Sequence, residues 1–548
     1  MKKIHNNFSE PSEQKLSSLI GHYHAGRFFE AEKLATSITQ EFPKNKVALK
    51  VLAAVLKQNG SINKALIICQ KSVQLDPRDA EAHNNLGVLL QEQGRLKEAE
   101  ESYKKAIALK PDYAEVHNNL GVILKDLGKL GEACSAFIQS INLNPNSSDT
   151  YANLGIVMRN LRFNSSNVKL YPLLVRLLSA ENFVRPVNLA ASILSLLKHD
   201  PLMKNLLLKE NFANSLKEAN SIIVSLDKLK LLHHLMRVCP LPNLQFEKFF
   251  VNIRSLLITN LDNIEPSAEL IYFLSTLSIH CFTNEYVYVE KDEETKLVEK
   301  LENEIMQTIK KSEQPEIKKI LCLASYRPLH QYNWCQKLEA LNNLEEVKSR
   351  LIEEPFTERE IEGEIPILGK ISDNVSRKVK AQYEENPYPR WVKTGIPAKA
   401  KSISEICIEE KIHLHSESIK KAINPNILIA GCGTGQHSIN TASRFSNCQV
   451  TAVDLSLASL AYAKRKTTEL GIANIKYLQA DILELDQLEQ KFDIIDSVGV
   501  LHHMDEPMAG WKILTNLLKP SGLMRIGLYS ELARQHIVEA RKEISLMF

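Results

Sequence analysis

The sequence predicts a multidomain chain in which a helical repeat array, an all-α middle region and a carboxyl-terminal α/β domain follow one another. Three observations predict this order. The first third has a period of 34 residues, the middle is leucine-rich with helical spacing, and the last third alternates short apolar strands with helical segments. A chain of 548 residues is long enough for about three to four domains, so one core is not expected.

Three columns of residues carry the 34-residue period. They are Pro43, Pro77, Pro111 and Pro145; Gly26, Gly60, Gly94 and Gly128; and Ala31, Ala65, Ala99 and Ala133. Glycine falls where the first helix of each unit ends, because it adopts positive φ without strain. Alanine falls where the second helix must approach the first closely, and proline falls where the unit ends because it cannot continue a helix. The columns predict helical hairpins over 12–161.

The bulky residues of the later units occupy equivalent positions. Gly87 and Gly121 mark the packed face of the first helix, and Tyr103 and Phe137 fill the bulky position of the second. This pattern resembles the tetratricopeptide repeat, a helix-turn-helix unit of 34 residues, in about four and a half copies. Each unit buries one face only by stacking on its neighbour, so the resemblance implies a superhelix with a concave groove.

The candidate partner-binding residues are asparagines on the first helix of the later units: Asn84, Asn85, Asn118, Asn119 and Asn153. In one interpretation their amides form a ladder that hydrogen-bonds an extended peptide backbone. In the other, asparagine is simply tolerated on a solvated helix face. Both interpretations stay open, and the array as a whole is predicted to bind a protein or peptide in its groove.

The middle region, 162–370, is predicted to be an all-α linker domain interrupted by prolines. His233 and His234 are neighbours on a predicted helix and therefore face different directions. Neither they nor the nine cysteines have the spacing of a zinc site, and no cysteine pair has C-x-x-C spacing. We expect no metal site and no disulfide framework.

The composition limits which cellular compartment and which kinds of partner we expect for this protein. The formal net charge is only +3, which does not indicate a nucleic-acid partner. No run of about 18 uncharged apolar residues predicts a membrane span, and the amino terminus has no apolar leader segment. We expect a soluble, cytoplasmic protein.

A segment at 371–425 precedes the α/β domain and is predicted to be a cap or lid. Its stretch 381–391 concentrates Tyr383, Tyr388 and Trp391 among prolines. The rings either cover a neighbouring pocket and bury the flat face of a ligand, or anchor a linker to the domain that follows. The sequence favours neither interpretation.

The last domain, 426–548, has glycines and acids at the ends of its predicted strands. Gly431, Gly433 and Gly435 follow the first strand, where they allow a tight turn and a close approach of the backbone to a ligand. The dinucleotide fingerprint G-x-G-x-x-G is not met, because Gln436 follows Gly435. Asp454 ends the second strand, placed to accept hydrogen bonds from both hydroxyls of a ribose.

A second acid follows the third strand, which is predicted over 475–480. Asp481 and the apolar Ile482 suit an adenine, since one accepts from its exocyclic amine and the other covers its ring. The alternative is that Asp454 and Asp481 only cap the helices that follow them. The fourth strand is predicted over 492–497 and the fifth over 523–528, after the sequence KPSG at 519–522.

Together these motifs resemble the class I S-adenosylmethionine-dependent methyltransferases, which have a Rossmann-like fold. They are GCGTG at 431–435, VDLS at 453–456, QADIL at 479–483, FDIIDSVGVLHHM at 492–504 and LLKPSG at 517–522. With the repeats and the sequence ENPYPRW at 385–391, the chain resembles bacterial tetratricopeptide-repeat methyltransferases. The resemblance implies that the three loop glycines line the methionine half of the cofactor and that the backbone near Ser497 binds its amino group.

His502 and His503 are the candidate acid–base residues for methyl transfer to an unknown acceptor, either a protein or a small molecule. A class I sheet normally has seven strands, whereas only five are predicted here, so we expect an incomplete domain that lacks the last two strands. The alternative function is an interaction scaffold whose methyltransferase domain is inactive.

Overall fold

The computed structural model describes residues 10–547 apart from 181–183, 210–211, 213–214, 386, 398, 411 and 531. The described chain divides into two compact units, one ending at Arg162 and the other beginning at Phe163. In the part of the chain that is described, no helix is both long and apolar enough to cross a membrane. All nine cysteines are buried as free thiols.

The first unit is a series of antiparallel helical hairpins, α1 to α9. Their bounds are Glu13–His24, Phe28–Glu41, Lys46–Gln58, Ile62–Leu75, Ala80–Glu92, Leu96–Leu109, Ala114–Asp126, Leu130–Leu143 and Ser148–Asn160. The four periodic glycines end the first helices with φ between 70° and 76°, as predicted for residues that must turn the chain. The four periodic alanines are fully buried where the second helix packs on the first.

In the later hairpins, an aromatic ring on the second helix packs directly against a glycine on the first. A Cβ placed on Gly87 would lie 2.6 Å from Tyr103 Cε1, and one placed on Gly121 would lie 2.6 Å from Phe137 Cε1. Both rings are fully buried. Any side chain larger than hydrogen would overlap the ring, so glycine at these positions is required by packing rather than by backbone conformation.

The middle of the chain is all-α, as predicted, and forms a layer of helices within the second unit. These helices, α10 to α20, span Tyr171–Ser179, Pro186–Leu197, Pro201–Leu207, Leu216–Asp227, Lys230–Val238, Leu244–Asn260, Ala268–Thr283, Asp292–Lys310, Ile317–Ala324, Glu345–Lys348 and Glu354–Glu362.

Two buried histidines bridge helices within this layer. His233 contacts the carbonyl of Leu226 through Nε2 and the Thr276 hydroxyl through Nδ1. His280 donates from Nδ1 to the carbonyl of Met236 at 3.0 Å, and its Nε2 accepts from the Tyr288 hydroxyl at 2.8 Å. Burial lowers the pKa of both imidazoles to about 4, so they are neutral near pH 7.

The carboxyl-terminal part has three helices ahead of a parallel sheet. Helices α21 to α23 span Asn374–Glu385, Ile403–Glu409 and Glu417–Lys420. Strands β1 to β5 span Asn426–Ala430, Gln449–Asp454, Ile475–Gln479, Phe492–Val498 and Leu518–Gly527. Helices α24 to α27 span Gln436–Arg444, Leu457–Glu469, Pro507–Leu517 and Gln535–Met547. The strand order β3-β2-β1-β4-β5 is that of a Rossmann-like domain, with every pairing parallel.

Apolar residues cover both faces of the sheet. Ile427 and Ile429 pack on one face, while Leu428 and Ala430 pack on the other. Such continuous burial is typical of parallel strands covered by helices on both sides.

Strand β5 begins earlier than predicted. Leu518 pairs with Phe492, and Leu523 pairs with Ile494, so residues 519–522 form a bulge inside the strand. Ser521 has a φ of +65° within this bulge. Pairing on both sides of a bulge depends on the neighbouring strand, which local sequence does not reveal.

A buried ion network joins the helical layer to the sheet domain. Arg465 on α25 binds Glu358 on α20 at 2.8 Å and Glu354 at 2.9 Å. Arg390, in the segment between α21 and α22, binds Glu285 at 2.5 Å and lies 3.5 Å from Glu358. Burial raises the pKa of Glu358 and Glu285 against the opposing effect of the arginines. The domain boundaries predicted at 370 and 425 both fall within one compact unit, and they remain a proposal.

Candidate functional site

A cavity of about 380 Å³ lies at the carboxyl ends of β1, β2, β3 and β4. In open parallel sheets this edge is where ligands bind. Its floor comes from the strand-end loops and its cover from α21 and the segment after it. The lining residues are Val375, Ser376, Val379, Tyr383, Tyr388, Pro389, Gly431, Gly433, Val453, Asp454, Leu455, Ser459, Ala480, Asp481, Ile482, Val498, Gly499, Val500, His503, Met504 and Tyr529.

The three loop glycines differ in what surrounds them. Gly431 and Gly433 line the cavity, with φ of +81° and +52°. A Cβ on Gly433 would have no atom within 4 Å, so the loop leaves open space there for a ligand. Gly435 is not among the described lining residues. A Cβ on it would lie 2.4 Å from Ala463 Cβ, so this glycine lets the loop pack against α25.

Asp454 occupies the strand-end position that the sequence assigned to ribose binding. Its Oδ2 accepts the backbone N–H of Gly433 at 2.7 Å, and its Oδ1 accepts that of Ser456 at 3.1 Å. Burial raises the pKa of the carboxyl above its ordinary value, while these backbone donors oppose the shift. Each carboxylate oxygen retains acceptor capacity toward the cavity.

Asp481 and Ile482 lie together on the wall of the cavity, and both are buried. Asp481 Oδ1 accepts the N–H of Leu483 at 3.0 Å and so also caps a short 3-10 helix, Ile482–Gln487. The capping and ligand interpretations are thus compatible in one side chain. Ser497 is buried outside the lining, and Val498 and Gly499 reach the cavity instead.

The aromatic segment predicted to be either a cap or an anchor has rings in two different surroundings. Tyr383 and Tyr388 line the cavity. Trp391 is not among the described lining residues and packs against Tyr462, with its Nε1 donating to the carbonyl of Thr434 at 2.9 Å. Asn386, in the same stretch, lies outside the described residues. The segment thus contributes its tyrosines to the cavity wall, while its tryptophan packs against α25.

The two candidate histidines are not equivalent. His503 lines the cavity, whereas the half-buried His502 lies between the rings of His503 and Tyr529, tilted against both, with ring centroids 4.1 and 3.9 Å away. The guanidinium of Arg534 lies 3.9 Å from the Tyr529 ring. Burial lowers the pKa of His502, and the charges of His503 and Arg534 act in the same direction. Only His503 is positioned to contact a molecule in the cavity.

A charged cluster that the sequence did not reveal joins α24 to the ends of β4 and β5. His437 Nε2 lies 2.9 Å from Asp496 Oδ2 and 3.0 Å from Arg525 Nη2, and Arg525 also binds Asp496. Burial would raise the pKa of Asp496, but hydrogen bonds from His437 and Arg525 lower it below its ordinary value. The cluster ties α24, which follows the glycine loop, to β4, which ends at Val498.

Other lining residues were also missed from the sequence. Val498 ends β4, Gly499 and Val500 come after it, and Tyr529 lies two residues after β5. The rule that ligands meet the carboxyl ends of parallel strands could have found them, because each lies at or just after the end of a strand. The cap residues Val375 and Val379 gave no such signal, since their position depends on how α21 docks.

In the first unit, the asparagines pair between neighbouring repeats. Asn119 donates from Nδ2 to Asn84 Oδ1 at 3.3 Å, and Asn153 donates to Asn118 Oδ1 at 3.1 Å. Asn84 and Asn85 line a cavity of about 190 Å³ between hairpins. Two separate amide pairs thus link neighbouring repeats, and each pair uses one carbonyl and one N–H within the array.

Comparisons with known proteins agree with this organisation. Residues 427–522 match a family model described as a methyltransferase domain. Tetratricopeptide-repeat models match 68–101 and 114–147, and a model described as TPR repeat matches 89–128.

Three curated relatives illustrate the extent of the similarity. An uncharacterized protein of Synechococcus sp. is 36% identical over 124 residues, 22% of this chain and 30% of its own length. (S)-coclaurine N-methyltransferase of Papaver somniferum is 31% identical over 21% of this chain and 32% of its own. Malonyl-[acyl-carrier protein] O-methyltransferase of Paenibacillus sp. is 32% identical over 19% and 38%. The chain thus spans about a third of the length of these relatives.

Among solved structures, the crystal structure of MamA is 26% identical with a TM-score of 0.24, covering 25% of this chain and 80% of that one.

Proposed function

Because the chain joins tetratricopeptide repeats to a methyltransferase domain, we propose that it is an S-adenosylmethionine-dependent methyltransferase whose repeats recruit a partner. The observation that carries the proposal is the convergence of Gly433, Asp454 and Asp481 on one capped cavity. A glycine loop followed by two acids at strand ends offers groups that can bind a nucleoside with an amino-acid tail.

The residues of the cavity fit the parts of this cofactor. Asp454 has acceptor capacity for the ribose hydroxyls, and the open space at Gly433 admits the methionine half. Asp481 would accept from the adenine amine while Ile482 covers the ring. When bound, S-adenosylmethionine supplies a methyl group that its sulfonium already activates.

The chain itself then has to orient the acceptor and exclude water. Tyr383 and Tyr388 cover the cavity and limit the entry of solvent. His503 is the group that would accept a proton from an acceptor that carries one, and the His502 ring packs against the His503 ring. The relatives named above include an N-methyltransferase and an O-methyltransferase, so their names select no acceptor atom for this chain.

Calorimetry with S-adenosylmethionine and S-adenosylhomocysteine tests the cofactor proposal. Asp481→Asn keeps an oxygen for the N–H of Leu483 but turns an amide donor toward the adenine amine. We expect binding to weaken about tenfold or more. Asp486→Asn is the matched control, because Asp486 is exposed on the same 3-10 helix. Absence of binding by the unaltered chain, or equal affinity of the two variants, would contradict the assignment.

Acceptor-dependent formation of S-adenosylhomocysteine separates an enzyme from a scaffold. A chain that binds the cofactor yet transfers no methyl group to any captured partner or small amine or acid would favour the scaffold alternative. Cofactor affinity and turnover are therefore measured on the same preparation.

The repeat array is proposed to bind an extended peptide through the asparagine ladder. Peptides selected on the full chain from a displayed library are expected to lose affinity about fivefold or more in Asn85→Ala, since one amide contact is removed. Asn146→Ala, in an exposed turn between hairpins, is the control. Equal affinity in both variants would place the peptide elsewhere on the repeats.

A further inference from the structure

Glu384 connects the cap helix α21 to the loop that carries Asp454. Its carboxylate accepts the backbone N–H groups of Leu457 at 3.1 Å and Ala458 at 2.9 Å. These are the first two residues of α25, whose amino-terminal N–H groups have no partner within the helix. A carboxylate at a helix amino terminus is favoured by the helix dipole as well as by the hydrogen bonds.

Ser456 continues this connection into the cavity. Its hydroxyl donates to the carbonyl of Tyr383 at 3.0 Å and accepts the N–H of Ser459 at 3.0 Å. Its backbone N–H donates to Asp454, whose other oxygen accepts the N–H of Gly433. An unbroken series of hydrogen bonds thus runs from the cap helix to the glycine loop.

A purely local capping role does not account for this arrangement. Ser456 already serves as the N-cap of α25. Glu384 comes from a different element, more than 70 positions earlier in the chain, and follows directly after Tyr383, which lines the cavity. Lys380 lies 3.7 Å away on the same helix and offsets only part of the charge.

We propose that Glu384 is a positioning residue for the cofactor site, which holds the Asp454 loop and Tyr383 at a fixed separation across the cavity. The inference rests on the proposed cofactor function. Asp454 and Tyr383 both line the cavity, so each would contact the bound ligand. Releasing Glu384 frees both walls without removing any group that touches the ligand.

Hydrogen exchange and calorimetry on the full chain test the inference. Glu384→Gln keeps one acceptor oxygen and removes the charge. We expect the amides of Leu457 and Ala458 to exchange faster and the dissociation constant for S-adenosylhomocysteine to rise about tenfold. Glu385→Gln is the matched control, because its neighbouring carboxylate is exposed, and both values should stay as in the unaltered chain.

A double-variant cycle separates positioning from general loosening. In an Asp454→Ala background, Glu384→Gln is expected to weaken binding clearly less than in the unaltered chain, because one of the two walls through which it acts is gone. Additive losses would overturn the inference and leave the cofactor site intact, as would unchanged affinity in Glu384→Gln. If the unaltered chain binds neither ligand, the proposed function fails first, and the role of Glu384 fails with it.

Discussion

Gly433 and Gly435 both have positive φ, but we expect alanine to have different main effects at the two positions. At Gly433 it should mainly weaken ligand binding, and at Gly435 it should mainly lower stability. Both have positive φ, +52° and +82°, which costs a residue with a Cβ about 1 to 2 kcal/mol. For Gly433 this is the whole cost, because its Cβ would meet nothing within 4 Å. The Cβ of Gly435 would lie 2.4 Å from Ala463 Cβ and 3.0 Å from its Cα. Overpacking adds about 1 to 3 kcal/mol there, for a total of about 2 to 5 kcal/mol.

Ligand binding should follow the reverse order. Gly433 lines the cavity, so the new methyl group occupies space that a bound ligand needs. We expect Gly433→Ala to melt within a few degrees of the unaltered chain and to bind S-adenosylhomocysteine at least about tenfold more weakly. Gly435→Ala should lose thermal stability, while whatever remains folded still binds.

Thermal unfolding and calorimetry on the two purified variants measure both effects. Equal melting temperatures would show that α25 moves away from Gly435 at little cost, and the packing argument would be wrong. Unchanged affinity in Gly433→Ala would show that the ligand does not occupy the space above the loop.

The remaining predictions concern packing, pH and the cap. Gly121→Ala overlaps the Phe137 ring and should destabilise the repeats by about 1 to 3 kcal/mol. Gly131→Ala has open space around the new methyl group and should stabilise them by about 0.5 to 1 kcal/mol. Urea unfolding followed by circular dichroism compares the two variants. His280 has a pKa of about 4 in the folded chain and about 6.5 unfolded, so stability present above pH 6.5 is lost as the pH falls toward 4, by about 2 kcal/mol at pH 5. His280→Gln should remove that part of the pH dependence of unfolding, and an unchanged slope would contradict it. Tyr388→Ala opens the cover of the cavity and should weaken cofactor binding without lowering the melting temperature, because the ring is 57% exposed.

Features that repeat in the sequence, or that end a strand, could be predicted closely. The positions of Gly87 and Tyr103 followed from a period of 34, and the structure places them in direct contact. Asp454 could be predicted to lie at the end of β2, because the apolar residues before it indicate a strand. In each case the signal is local or periodic, so a single sequence contains it.

Features that depend on docking between distant elements could not be predicted. The sequence shows that the stretch around Tyr388 and Trp391 is aromatic, but it does not show where each ring packs. In the structure, the Tyr388 ring lines the cavity and the Trp391 ring packs against Tyr462. Glu384 and Asp496 looked like ordinary acids in the sequence. Their partners lie 73 and 59 positions away, a separation at which no local pattern indicates pairing.

The ion network around Glu358 has a consequence for how such a protein changes in evolution. Arg390, Arg465, Glu285 and Glu358 come from three sequence regions, and the buried carboxylates of Glu285 and Glu358 bind arginines from the other two regions. Exchanging one region for that of a relative would leave a buried charge without its partner, at a cost of about 3 to 5 kcal/mol. Residues 285–469 are therefore expected to be inherited as one block, and recombination should be tolerated best at the junction near Arg162, between the two compact units.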